Sequence, residues 1–389
     1  MSLPITLRGM TWNHPRGLAP VVATARQYHQ ENPRVRIEWS VRSLKDFEEY
    51  PIERIVHDFD LVVLDHPCIP AIAGRGIILP LDTYLSPEFL SEQAANTVGA
   101  SHRSYQHDGH QWALAIDAAT PVSFWREDLI ASHRLHVPRS WTELLALASR
   151  GHVEVPAAPI NCLMNFFTMA VAAGGSPFAS PDRLVQREVG RESLARLREL
   201  LSRCDPGIWQ RNPIASHDLV ASADNHTVCY CPLAYGYSNY ARPGFSPHVL
   251  TFGVPPLLNS RPLATVLGGT GLAVSAVRPN QEAAIDYARF TASAEIQRTL
   301  YTSSGGQPGH RQAWIDRENN RATGDYFLRT LPVLDHAWLR PRHAGYQHFQ
   351  DTASPIVHAA LRGELDDDTA LDQMDALHRQ TLSSPNHKP

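Results

Sequence analysis

The chain of 389 residues is too long for one simple core and suits two lobes, and its 43% hydrophobic and 19% charged content are values of a globular protein. A net charge of -4 argues against a general nucleic-acid binder, which would be basic. No run of about 18 apolar residues marks a membrane-spanning helix. The cations are almost all arginine, Lys45 and Lys388 being the only lysines, which reads as genomic composition bias.

Five cysteines, Cys68, Cys162, Cys204, Cys229 and Cys231, form no disulfide framework by count or spacing. Cys229-Tyr230-Cys231 alternates along a predicted strand, so both thiols read as small buried hydrophobes and not as a metal or redox pair.

In chain order, Pro4 to Met10 is predicted as the first strand, followed by a loop from Thr11 to Gly17 carrying Trp12, Asn13, His14 and Arg16. A helix from Leu18 to Asn32 stops at Pro33. Val35 to Val41 alternates apolar and polar as a second strand. A helical piece over Ser43 to Val56 is interrupted at Pro51, and Phe59 to Leu64 reads as a strand buried on both faces. This βαβαβ pattern predicts a parallel, doubly wound sheet, in which ligands sit outside the carboxyl ends of the strands. The segments Trp12–Arg16 and Asp65-His66-Pro67 are therefore candidate ligand loops. Asp65 reads equally as the cap of a helix beginning near Ile69.

Ser86-Pro87-Glu88 is a helix start. Tyr105 to Ile116 is a predicted hairpin turning at Asp108-Gly109. His102, His107 and His110 lack a carboxylate or cysteine at ligand spacing, so they read as solvated loop histidines and no metal is expected. Ser140-Trp141-Thr142-Glu143 is a capping box. Asn161 to Ala173 is a helix whose early Asn161 and Asn165 can face a cleft. Glu192 to Arg203 is amphipathic. After a strand over Val228 to Leu233 comes Tyr235-Gly236-Tyr237-Ser238-Asn239-Tyr240. Its aromatic faces and amide and hydroxyl groups suit a sugar, although an ordinary surface loop has the same composition. Gly268-Gly269-Thr270-Gly271 runs into an apolar strand and not a helix, so it is a poor dinucleotide site. A single long helix is predicted from Gln281 to Tyr301. Ser354-Pro355 reads as opening a helix that Gly363 ends, and Asp366-Asp367-Asp368 as the start of the last one. Arg340 and Arg342, flanking Pro341, could grip a carboxylate in a bidentate manner or tie their segment to an acidic surface.

No Gly-x-Ser-x-Gly elbow, Walker loop or His-Glu-x-x-His occurs, and the Glu48-Glu49 pair falls on a predicted exposed helix face. No catalytic residue is assigned, no cofactor is expected, and the chain is read as not an enzyme.

The order running from Leu267-Gly268-Gly269-Thr270 through an apolar strand, a turn, a helix and Gly305-Gly306-Gln307-Pro308 resembles the extracellular solute-binding proteins of ABC importers, in the carbohydrate-type family. So does Pro121-Val122-Ser123-Phe124-Trp125-Arg126-Glu127-Asp128-Leu129 followed by Pro138-Arg139-Ser140-Trp141-Thr142-Glu143-Leu144. The resemblance implies a two-lobed α/β fold of the periplasmic-binding-protein type. Each lobe would be a mainly parallel sheet flanked by helices, with a hinge of two or three crossing segments and terminal helices bracing the second lobe. Residues 1–117 plus 265–314 would form lobe one and 118–264 plus 315–389 lobe two. Asp117, Gly269 and Thr270, beside the crossings, join the expected contacts. The expected function is to bind a small polar ligand, a sugar, sugar acid or other carboxylate, between the lobes by hinge closure and to deliver it, as a monomer, to an ABC permease. A cytoplasmic metabolite sensor, or less readily an enzyme, could use the same fold. Met1 to Leu7 enters directly into a strand without a leader, so location is expected to be periplasmic if a leader has been removed and cytoplasmic if this start is native.

Overall fold

A computed structural model describes residues 4–43 and 52–383. Its strands are β1 (Ile5–Trp12), β2 (Val35–Arg42), β3 (Leu61–Asp65), β4 (Gln106–His107), β5 (His110–Gln111), β6 (Leu114–Ala115), β7 (Pro121–Trp125), β8 (Tyr230–Tyr235), β9 (Thr251–Gly253) and β10 (Thr270–Val274). They fall in two compact units, residues 1–119 with 268–322 and residues 120–267 with 323–389.

The first unit is built on a sheet of order β2-β1-β3-β10-β6. β1 pairs in parallel with β2 and β3, while β10 runs antiparallel to both β3 and β6. The helix that covers β1 begins at Pro15, three residues before its predicted start, because the His14 imidazole caps it by accepting the Arg16 amide at 3.0 Å and Pro15 supplies a preset φ. Its buried Val21, Ala25 and Tyr28 recur at helical spacing and join Leu7, Leu61, Val63, Leu272 and Val274 in one core. A second core on the sheet's other face gathers Val62, Leu64, Ile69, Tyr105 and Trp112. β3 is accordingly buried on both sides, as its unbroken apolar run requires. Of the helical piece expected over Ser43 to Val56, the described part is the helix Ile52–Asp58; residues 44–51, with Glu48 and Glu49, lie outside the described residues.

The β4–β5 hairpin turns where expected, with Asp108 and Gly109 both at positive φ. His102 departs from expectation. It is buried in the turn Ser101–Ser104, and burial lowers its pKa to about 4. The long helix predicted to reach Tyr301 is broken at Ser293, which is extended (φ -62, ψ 146) between the helix Gln281–Ala292 and a π turn over Gln297–Tyr301.

The second unit's sheet, of order β8-β7-β9, is antiparallel throughout, which corrects the expectation of a mainly parallel sheet there. Parallel pairing is confined to bridges such as Val153 with Tyr230. All five residues of β7 are buried, and such strands carry no alternation from which direction could be read. Around the sheet, helices Trp141–Ala148, Pro159–Ala172, Arg187–Leu201, Tyr346–Leu361 and Asp367–Ser383 share one core containing Leu144, Phe166, Phe167, Leu197, Phe349 and Met374. Pro355 lies inside the helix Tyr346–Leu361 and does not open it; the proline is on an exposed face, where water can replace the hydrogen bond it lacks. Asp366 caps the last helix through the Asp368 and Thr369 amides. All five cysteines are free, and Cys162, Cys229 and Cys231 are buried. Among the described residues no helix is long and apolar enough to cross a membrane.

Candidate functional site

Within the first unit the pairing register puts one set of predicted residues along a single sheet edge. Trp12 ends β1, Asp65 ends β3, and Thr270, first residue of the antiparallel β10, pairs directly with Asp65. Asp117 follows β6, and its amide and carbonyl bond the Thr270 carbonyl and amide, each at 3.0 Å. Gly269 is at φ +101, and a β-carbon there would collide with the Asp117 carbonyl, so only glycine lets the two segments approach this closely.

The charges on this edge are organised from within. Arg16, in the first turn of its helix and buried, forms a fork with Asp117: Nε donates to Oδ2 at 2.8 Å and Nη2 to Oδ1. Burial raises the Asp117 carboxyl above its ordinary range, with Arg16 opposing the rise and the Asp65 charge adding to it. His14 is held neutral: burial, then the Arg16 charge, lowers its pKa to about 3, consistent with a ring nitrogen that accepts a backbone N–H. Trp12 is 3% exposed and its ring covers Gly17, so it belongs to the core. Asn13 is exposed, with its amide bonded to the Arg42 carbonyl at 2.8 Å.

Asp65 remains 33% exposed while its Oδ1 caps the turn His66–Cys68 by accepting the His66 amide at 2.8 Å. His66 is fully buried, edge-on to Tyr105 at 6.3 Å. Thr270 is 6% exposed, and its hydroxyl oxygen has no hydrogen-bond partner among the described residues. An unmet buried polar group costs about 1–3 kcal/mol.

In the second unit, Tyr235 ends β8 and Tyr237 precedes a short 3-10 turn, Ser238–Ala241. Tyr237 is buried. It meets the His217 ring edge-on at 5.6 Å, and His217 itself stacks on Phe124 at 4.1 Å. Tyr240 packs on His217 at 4.8 Å and donates to Asp218 at 2.6 Å. Gly236 passes so close to the Tyr326 hydroxyl that a β-carbon would strike it. Asn239 is buried within the 3-10 turn. His217, buried on the helix Pro213–Ala221, was not singled out from the sequence; a lone histidine carries no signal there, and only its stacked neighbours reveal it.

Asn165 is buried on the helix Pro159–Ala172, four residues after Asn161, one helical turn apart on the same face. The Asn161 side-chain oxygen is buried and has no hydrogen-bond partner among the described residues. Arg340 is 4% exposed and donates to the Gln350 side chain at 3.0 Å, whereas Arg342 is half-buried. Among the described residues no group of three His, Cys, Asp or Glu side chains could hold a metal ion.

Residues 53–313 match the family described as bacterial extracellular solute-binding proteins, and the chain belongs to that family. No curated protein matches it in sequence. Among solved structures it is similar to the maltose-bound MalE3 of T. maritima, at 17% identity and a TM-score of 0.84, covering 97% of this chain and 99% of that one. A ribitol-bound ABC transporter solute-binding protein from Agrobacterium radiobacter gives 19% identity and 0.81, over 98% and 100% of the two chains. The GacH receptor of Streptomyces glaucescens, solved unliganded and with acarbose, gives 16% and 0.79, over 98% and 100%. The fold is therefore the two-lobed α/β fold of these solute-binding proteins.

Proposed function

We propose that this protein binds a neutral sugar or polyol, releases it unchanged, and serves as the soluble, monomeric receptor of an ABC importer outside the cytoplasmic membrane. The single observation carrying the ligand class is that Arg16, the arginine beside the strand ends, is already engaged by the buried carboxylate of Asp117. The half-buried Asp65 carboxylate at the same edge would repel an acid and accept hydrogen bonds from hydroxyls. Thr270 and Asn161 bring unmet oxygens of the kind a polyol's hydroxyls satisfy, and Tyr235 and Tyr237 bring ring faces for its C–H surfaces. Maltose, ribitol and acarbose, bound by the similar proteins, belong to the same polyhydroxylated class.

The test is a thermal-shift panel of maltose, ribitol, mannitol and their acid counterparts, with the hit recovered and assayed for change. Ligand at about 100 times its dissociation constant adds roughly 2.7 kcal/mol to stability. A shift with neutral compounds and unchanged recovery is expected. Preferential binding of acids, or consumption of the hit, would refute the reading.

A further inference from the structure

Away from the predicted site, the second unit carries a cavity of about 860 Å³ between the loop 134–139 and the outer face of the helix Trp141–Ala148. Glu143, Ala146, Leu147 and Arg150 recur at helical spacing and form one wall, and the loop contributes Arg134, His136 and Arg139. The backbone of the loop is pinned. The Leu135 amide bonds the Ile130 carbonyl at 2.9 Å, the Leu257 amide bonds the Arg139 carbonyl at 2.9 Å, and Arg134 takes a left-handed conformation at φ 53.

Three guanidinium groups line this cavity. All three residues are exposed, and none of the guanidiniums has a hydrogen-bond or ion-pair partner among the described residues. The one carboxylate in the wall pairs with no guanidinium among the described residues: Glu143 accepts the Arg139 backbone amide at 2.7 Å while its own amide donates to the Ser140 hydroxyl at 3.3 Å, closing the helix N-terminus. Elsewhere on this unit arginines are neutralised, as Arg191 is by Asp368 and Arg196 by Glu192. A chain of net charge -4 thus holds a cavity in which three arginines face one carboxylate, with Leu135 and Leu147 in its lining.

We propose that this cavity is a binding site for a small polyvalent oxyanion, a phosphorylated or multiply carboxylated compound, held by bidentate contacts from Arg134, Arg139 and Arg150. The guanidinium fork matches carboxylate and phosphate geometry, and the volume lies within the roughly 300–1,000 Å³ range of small-molecule sites. Nothing in this assignment depends on the sugar or polyol site.

Calorimetric titration of the full chain with pyrophosphate at low ionic strength tests it. One-to-one binding is expected, weakening as sodium chloride is added. Arg134→Gln and Arg150→Gln should each lower affinity roughly tenfold, with unchanged far-ultraviolet circular dichroism. Glu143→Gln, which keeps the capping contact but removes the negative charge, should tighten it. Absence of binding by the parent protein, or binding indifferent to the arginine substitutions, would overturn the proposal. So would retention on phosphatidylglycerol vesicles without binding of free pyrophosphate, which would assign the cavity to a membrane surface.

Discussion

The two units hold their candidate contacts by different physics. In the first, the contacts are the ends of hydrogen-bonded strands, and a buried ion pair, Arg16 with Asp117, ties a helix to the segment after β6. In the second, they stand on a short turn and a helix start, and Tyr237 is fixed by ring packing against His217, itself stacked on Phe124. Charge is therefore used for positioning in the first unit, and apolar contact in the second. Among the buried polar groups with unmet hydrogen-bonding capacity, Thr270 opens β10 and Asn161 lies in the first turn of its helix.

This contrast is broken most severely by Asp117→Ala. It leaves the Arg16 guanidinium buried without its partner, which costs about 3–5 kcal/mol and should lower the thermal midpoint sharply. Replacing both residues, as Arg16→Met with Asp117→Leu, should recover much of that loss in a double-mutant cycle.

Acid should weaken the same region. His14 is lowered to about 3 and His102 to about 4 when folded, against about 6.5 unfolded. The unfolded chain then binds the extra protons, so their contribution is complete above about pH 6.5 and is lost as pH falls towards the folded values. His14→Asn, which retains a capping acceptor, should flatten the midpoint-versus-pH curve across that window.

Smaller changes sharpen the contrast by separating binding from stability. Asp65→Asn keeps the cap on His66–Cys68 and should leave the midpoint of the free protein nearly unchanged while weakening ligand binding about tenfold. Thr270→Val removes a buried oxygen with no hydrogen-bond partner among the described residues. It should leave the free protein as stable or slightly more so, by about 1 kcal/mol at most, and still reduce affinity.

The periodicity of the sequence was enough to locate most helices and the first unit's strands, because alternation, capping residues and proline stops are local signals. The strand-end rule pointed to Trp12, Asp65 and their neighbours for the same reason. It did not foresee that Trp12 would cover Gly17 or that Arg16 would meet Asp117 across 101 residues, since side-chain pairing at that range has no local signature. The direction of β7 was hidden because a fully buried strand looks alike in parallel and antiparallel sheets. Pro355 read as a helix start because proline favours the first turn, yet an exposed interior position tolerates it too. The role of His217 became visible only with its stacked rings.

The most direct test is calorimetric titration of the best neutral sugar or polyol into the parent protein, Asp65→Asn and Tyr237→Ala. The account predicts one-to-one binding by the parent and affinity lowered about tenfold or more in both variants, with circular dichroism showing both still folded. Equal affinity in all three proteins would contradict the assignment of ligand contact to these two places.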